Sequence, residues 1–161
     1  MELELEKAIQ LRKNGNLKKS SEILMNLVEQ YPDHATINYH CAWSLDLLGY
    51  EEKAVLFYEK AIDLGLSSNE LEGAFIGLGS TYRTLGEYEK SKNILRKGMD
   101  LFPNNRAIQT FYAMTLYNLG EHRMAIELLL RCLIETTNNE ELLKYKKAII
   151  FYSDKLDMIW K

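Results

Sequence analysis

The amino-acid sequence predicts an all-α protein: four helix-turn-helix hairpins stacked in a row and closed by a C-terminal helix, nine helices in all. Three observations predict it. Four glycines, Gly15, Gly49, Gly86 and Gly120, recur in matching contexts at separations of 34, 37 and 34 residues. Apolar and small residues hold fixed offsets around each of them. Only two prolines occur, Pro32 and Pro103, each seventeen residues after a recurrent glycine. Self-similarity at a period of this length is the mark of stacked repeat units that bury their faces against one another.

The offsets specify a hairpin. Seven residues before each glycine stands a small residue: Ala8, Ala42, Gly79 or Ala113. Four before it stands Leu11, Leu45, Tyr82 or Leu116, and five after it Ser20, Ala54, Ser91 or Ala125. Nine after it come Leu24, Tyr58, Leu95 and Leu129, and thirteen after it Val28, Ile62, Met99 and Leu133. Residues spaced by three and four form one stripe of a helix. The glycine supplies the left-handed backbone that ends the first helix. Small residues let the returning helix come close, and large neighbours interlock around them.

The elements follow in order. Hairpins occupy about residues 1–34, 35–68, 72–105 and 106–139, together one domain over 1–161. The 37-residue separation reads as three extra residues near Asn69 to Leu71, lengthening a linker or the next helix. Pro32 and Pro103 stop the second helices of hairpins one and three. Leu66 and Thr137 stand at the corresponding places in the other two. Residues 139–160 read as one more helix. Asn138 is placed to cap it, with Glu141 three residues on. Leu142, Tyr145, Ile149, Tyr152, Leu156 and Ile159 run down one face. An open-ended stack leaves an apolar end, and this helix is read as its cover.

These residues resemble the tetratricopeptide-repeat (TPR) family, whose 34-residue unit is a helix-turn-helix with small, glycine, aromatic and proline positions. Residues 35–68 carry Ala42, Gly49, Ala54, Tyr58 and Ala61 at the family's offsets, and 72–105 carry Gly79, Tyr82, Gly86, Tyr88 and Pro103. The first and last windows fit more loosely. The segment FYAMTLYNLGEHRMAIELLLRCLI and the helix after it are also similar to a group of short bacterial TPR proteins. The resemblance implies a right-handed α-solenoid whose first helices line a concave groove. Projected onto that geometry, Tyr39, His40, Trp43, Asp46, Ile76, Arg83, Phe111, Met114 and Tyr117 face a partner, and the first repeat adds Leu5, Glu6, Ile9, Arg12 and Lys13. Tyr39, Trp43, Arg83, Phe111 and Tyr117 are of the types that dominate binding hot spots, although aromatics at this spacing also pack between repeats. Some TPR domains hold acidic tails with a Lys and Asn clamp. Its places are taken here by Leu5 and Ile9, or by Tyr39 and Trp43, so a more apolar partner is expected.

Charge and chemistry narrow the function classes. A net charge of −3 and 27% charged residues give no basic face for nucleic acid. The longest uncharged run, Ala107 to Gly120, has 14 residues, too few for a membrane span. The first residues, Met1 to Glu6, are acidic where a signal peptide is basic, and the expected location is the cytoplasm. Cys41 and Cys132 lack metal spacing and read as two buried thiols. The glycines of Gly73 to Gly79 lack the Lys-Ser/Thr ending of a phosphate loop and read as close helix packing. His34 and His122 fall by turns, and His40 stands alone beside aromatics. No catalytic residues, cofactor or metal are therefore expected. The expected function is a scaffold that binds a peptide, helix or protein in the groove. The alternative is a homodimer that uses the groove or the last helix, through Met158, Ile159 and Trp160.

Overall fold

The four recurrent glycines each follow a helix with φ between 76° and 80°. The same bonding closes every one of these turns. At the third, the Gly86 N–H donates to the Arg83 carbonyl and the Glu87 N–H to the Tyr82 carbonyl. This is the Schellman arrangement, in which left-handed backbone satisfies the last carbonyls of a helix. The computed structural model describes residues 1–161. Its hairpins are α1 (Glu2–Lys13) with α2 (Leu17–Gln30), α3 (Ala35–Leu47) with α4 (Glu51–Leu64), α5 (Ser68–Thr84) with α6 (Tyr88–Leu101), and α7 (Arg106–Asn118) with α8 (His122–Thr136). Two short helices follow, α9 (Glu140–Lys144) and α10 (Lys146–Tyr152).

Helix starts repeat as well. His34, Asn105 and Asn139 cap α3, α7 and α9 by accepting from the N–H three residues on. The prolines sit in the turns between hairpins, and their carbonyls are satisfied by buried amides. Asn38 Nδ2 donates to Pro32 at 2.9 Å, and Gln109 Nε2 to Pro103 at 2.7 Å. Where hairpin two has Leu66 instead, Gly65 stops α4 with φ 91°. The three extra residues lengthen the next helix, and the turn before it gives up one more: α5 has 17 residues against 13 in α3 and in α7.

Each second helix packs on its own partner and on the first helix of the next hairpin. First helices also touch in succession, α1 on α3, α3 on α5 and α5 on α7, whereas no comparable packing joins successive second helices. Contact on one side only curves the stack, and the first helices line its hollow side. This is the expected α-solenoid. Ala8, Ala42, Gly79 and Ala113 are all buried where the helices cross. No helix is long and apolar enough to cross a membrane.

The C-terminal expectation needs correction. There are ten helices rather than nine, because the segment expected as one helix over 139–160 breaks at Tyr145 and ends at Tyr152. Asn139, not Asn138, is its cap. Beyond Tyr152 the chain turns. Ser153 is buried and bonded to the Ile150 carbonyl, and Asp157 pairs with Arg123 of α8 at 2.7 Å. Turning back in this way places α10 and the tail against α8, where a straight helix of about 30 Å would run past it. The cover is partial: Leu129 and Leu133 of α8 stay 36% and 42% exposed.

Two glycine substitutions separate backbone from packing constraints. A Cβ at Gly86 meets nothing within 4 Å, so Gly86→Ala should cost about 1–2 kcal/mol through the left-handed backbone alone. At Gly79 a Cβ drives into the Leu95 side chain, and Gly79→Ala should cost about 1–3 kcal/mol by overpacking. Urea unfolding followed by circular dichroism measures both. A Gly86→Ala protein as stable as the parent contradicts the turn assignment.

Candidate partner-binding groove

The hollow side holds a cleft of about 330 Å³ where α3, α5 and α7 meet. Tyr39, Trp43, Asp46, Ile76 and Phe111, five of the nine expected groove residues, line it together with Tyr58 of α4. Its floor is partly bare backbone. Gly73 and Gly77 belong to the lining, and a Cβ at either would collide with the ring of Tyr39 or of Tyr58. The two phenols fill the space that the glycines leave, which is how a second-helix residue reaches the groove. Burial raises the pKa of both.

Tyr39 is only 6% exposed, so it forms a wall between hairpins two and three. Trp43 is 40% exposed and forms the rim. One of its faces is covered by Arg12, whose Cζ lies 4.0 Å from the ring centroid. Arg12 is itself buried. Its Nη1 donates to the His40 carbonyl at 3.1 Å and to Ser44 Oγ at 3.3 Å, and its Nη2 faces His40 Nδ1 at 3.0 Å. His40 therefore points at Arg12 rather than into the cleft. With a guanidinium against it, Nδ1 acts as the acceptor, and the ring is neutral. Burial first, then Arg12 and Lys13, lower its pKa to about 4.

Asp46 is half-buried and accepts from Thr81 Oγ1 at 3.1 Å. Burial raises its carboxyl pKa, opposed by that hydrogen bond. Arg83 donates instead to Asn118 Oδ1 of the next hairpin at 3.2 Å. His40, Asp46 and Arg83 are thus bound to three different neighbours and do not converge. Met114 and Tyr117 continue from Phe111 along one face of α7 by steps of three. They are 39% and 63% exposed, and Tyr117 meets His122 edge-on at 4.8 Å.

Tyr58, Gly73, Gly77 and Ser80 of the lining, and Arg12 against Trp43, are the contributors that the selected nine omit. Arg12 carried a usable signal, since it stands three residues before its turn glycine, as do Asp46, Arg83 and Tyr117. Both cysteines are buried and free. The Cys132 thiol donates to Gln109 Oε1 at 2.9 Å, and the Cys41 thiol lies 3.5 Å from Met25 Sδ.

The His40 arrangement has a pH signature. An unfolded histidine protonates near 6.5 and the folded one near 4, so the unfolded chain binds the extra proton between those values. Stability is therefore present above pH 6.5 and lost as pH falls through the window, by on the order of 2 kcal/mol. Urea midpoints at pH 7 and pH 4.5 should fall less for His40→Asn, which keeps an acceptor near Arg12 but does not titrate. Equal falls in the two proteins would remove His40 as the cause.

Among solved structures, MamA (MSR-1) superposes with a TM-score of 0.70 at 18% identity over 81% of this chain and 74% of its own. YrrB, a TPR protein with an unusual peptide-binding site, gives 0.66 at 18% identity over 91% and 84%. The Cut9–Hcn1 hetero-tetramer of APC/C gives 0.74 at 17% identity over 93% of this chain and 29% of that one. At such identities the likeness is one of fold. No curated protein matches the sequence. The Tetratrico peptide repeat model matches residues 33–156, from the turn before α3 to the tail beyond α10, and the chain belongs to that family.

Proposed function

We propose that the chain is a cytoplasmic protein-interaction module that holds a peptide or helix of a protein partner in the concave groove, without catalysis or a cofactor. The observation that carries this reading is the cleft under Trp43. Five groove side chains from three hairpins meet around an open volume of about 330 Å³, at the lower end of the roughly 300–1,000 Å³ of ligand sites. Its walls are aromatic and aliphatic, with one carboxylate, Asp46. An apolar or aromatic side chain with a hydrogen-bond donor beside it is the matching ligand. Two further facts support the reading: the family is a protein-interaction fold, and a structural neighbour, YrrB, is a peptide-binding member of it.

Peptide-display selection on the parent, followed by anisotropy with labelled peptides, tests the groove. Trp43→Ala and Phe111→Ala should each weaken binding about tenfold or more, as hot-spot truncations do. Tyr117→Ala should weaken it less. Helicity by circular dichroism should be unchanged in all three. Undiminished binding by the Trp43→Ala and Phe111→Ala proteins would refute the groove as the site.

A second reading, self-association, is favoured by the C-terminal segment. The rings of Phe151, Tyr152 and Trp160 cluster with centroids 5.1–6.3 Å apart, and each is about half exposed. Ile159 beside them is 83% exposed. Apolar clusters of this kind mark contact surfaces. Light scattering at high concentration should then report a dimer that Ile159→Asp together with Trp160→Asp dissociates. A monomer at all concentrations eliminates this reading.

A further inference from the structure

A larger cleft, of about 560 Å³, lies on the other side of α5, between the second helices α4 and α6. Those two helices have no packing contact comparable to α3 on α5, so a gap separates them. Its floor is apolar, formed by Ile62, Leu78, Tyr82 and Ile94. Its walls are charged with opposite sign. On α4 stand Glu59 and Asp63, one turn apart, and on α6 stand Lys90 and Lys97, two turns apart. Glu59 accepts from the Tyr82 hydroxyl, and Lys90 pairs with Glu87 of its own helix at 3.5 Å. Asp63 and Lys97 form no ion pair with any side chain of the chain.

We infer that this cleft is a second docking site, for a segment of a protein partner that carries an apolar side chain between one basic and one acidic residue. Charge complementarity defines the occupant: the basic residue goes to Asp63, the apolar one to the floor, and the acidic one to Lys97. These are the two lining charges that no other side chain of the protein engages. Two unpaired charges of opposite sign across an apolar floor favour a ligand with the reverse polarity and disfavour the flipped orientation. Contacts to both charged walls and to the floor call for three side chains, so the fit is to a peptide segment. This surface uses second helices, and the groove uses first helices. The module thereby joins two partners on opposite sides of α5.

The test separates this site from the groove. Peptide libraries displayed on phage are selected on the Trp43→Ala/Phe111→Ala protein and, in parallel, on the parent. Synthetic peptides from each are then measured by anisotropy. The expected winners on the groove variant carry the basic–apolar–acidic pattern. Asp63→Lys and Lys97→Glu, both at exposed positions, should each weaken them roughly three- to tenfold. The doubly reversed protein should recover binding to a peptide with its two charges exchanged. Two outcomes overturn the inference: no enrichment on either protein beyond groove-dependent peptides, or binding that is indifferent to both charge reversals.

Discussion

Glycines leave gaps on two faces of α5, and the middle of the molecule is packed into those gaps. Gly73 and Gly77, one turn apart, face α3 and α4, whereas Gly79 faces α6 on the other side. Gly73, Gly77 and Gly79 present backbone to Tyr39, Tyr58 and Leu95, each of which stands where a methyl group would be. Glycine inside a helix is unfavourable by about 1 kcal/mol relative to alanine, so three of them make a helix that depends on its neighbours. The return is close approach. α3 and α4 come against α5 with their rings in the gaps, and the groove floor is the backbone they touch. Since first helices are in contact and second helices are not, drawing the inner side together leaves α4 and α6 apart. The groove floor thus follows from the side chains missing at Gly73 and Gly77.

Hydroxyl groups set the register between hairpins. Ser20 meets Ser44 at 3.1 Å across the first junction, and Ser91 meets Thr115 at 2.8 Å across the third. All four are buried. Ser20 has no other partner and would be stranded by misalignment, whereas Ser91 and Thr115 also reach the Gly79 and Phe111 carbonyls. The middle junction has Ala54 where the others have serine. Thr81 there has no hydroxyl opposite it, and its O–H is shared between the Gly77 carbonyl at 2.7 Å and Asp46 at 3.1 Å. That substitution of partner holds the acidic side chain of the groove in place. A departure from the repeat in the core becomes a feature of the surface.

The solenoid was legible in the sequence because its signals are local and periodic: a turn glycine, a small residue, and apolar offsets repeated four times. The lengthening of α5 was legible too, in principle. Ser67 is the N-cap of α5 and Glu70 follows at the S-x-x-E spacing that marks a helix start, although the two side chains bond each other at 2.9 Å and not the backbone. The C-terminal helix was over-extended for a physical reason. Leu156 and Ile159 keep helical spacing, but periodicity reports an amphipathic pattern and says nothing about a surface to receive it. The chain turns back instead, and Asp157 meets Arg123 of α8 at the surface. In the groove, spacing placed Tyr39 and Trp43 on one face but could not divide their roles. Tyr39 turns inward because Gly73, one hairpin away, leaves room for its ring. Trp43 has no such vacancy and stays on the rim under Arg12. Nothing within one repeat encodes that difference.

The charges along the groove are not equivalent, and their bonding decides which of them a partner meets. Arg12 is committed: both terminal nitrogens face His40 or Ser44, and its flat face covers Trp43. A guanidinium so occupied orients the tryptophan and offers little to an anion. His40 is neutral at physiological pH, since its pKa is pushed down to about 4, and adds no cation. Arg83 reaches across to Asn118 of the next hairpin. Asp46, in contrast, accepts one hydroxyl and lines the cleft directly. In the proposed role, a groove of this make would select by the shape of an apolar side chain and by one acidic point. Acidic tails, which need several free cations on successive first helices, find Leu5, Ile9, Tyr39 and Trp43 in those places and a single carboxylate that repels them.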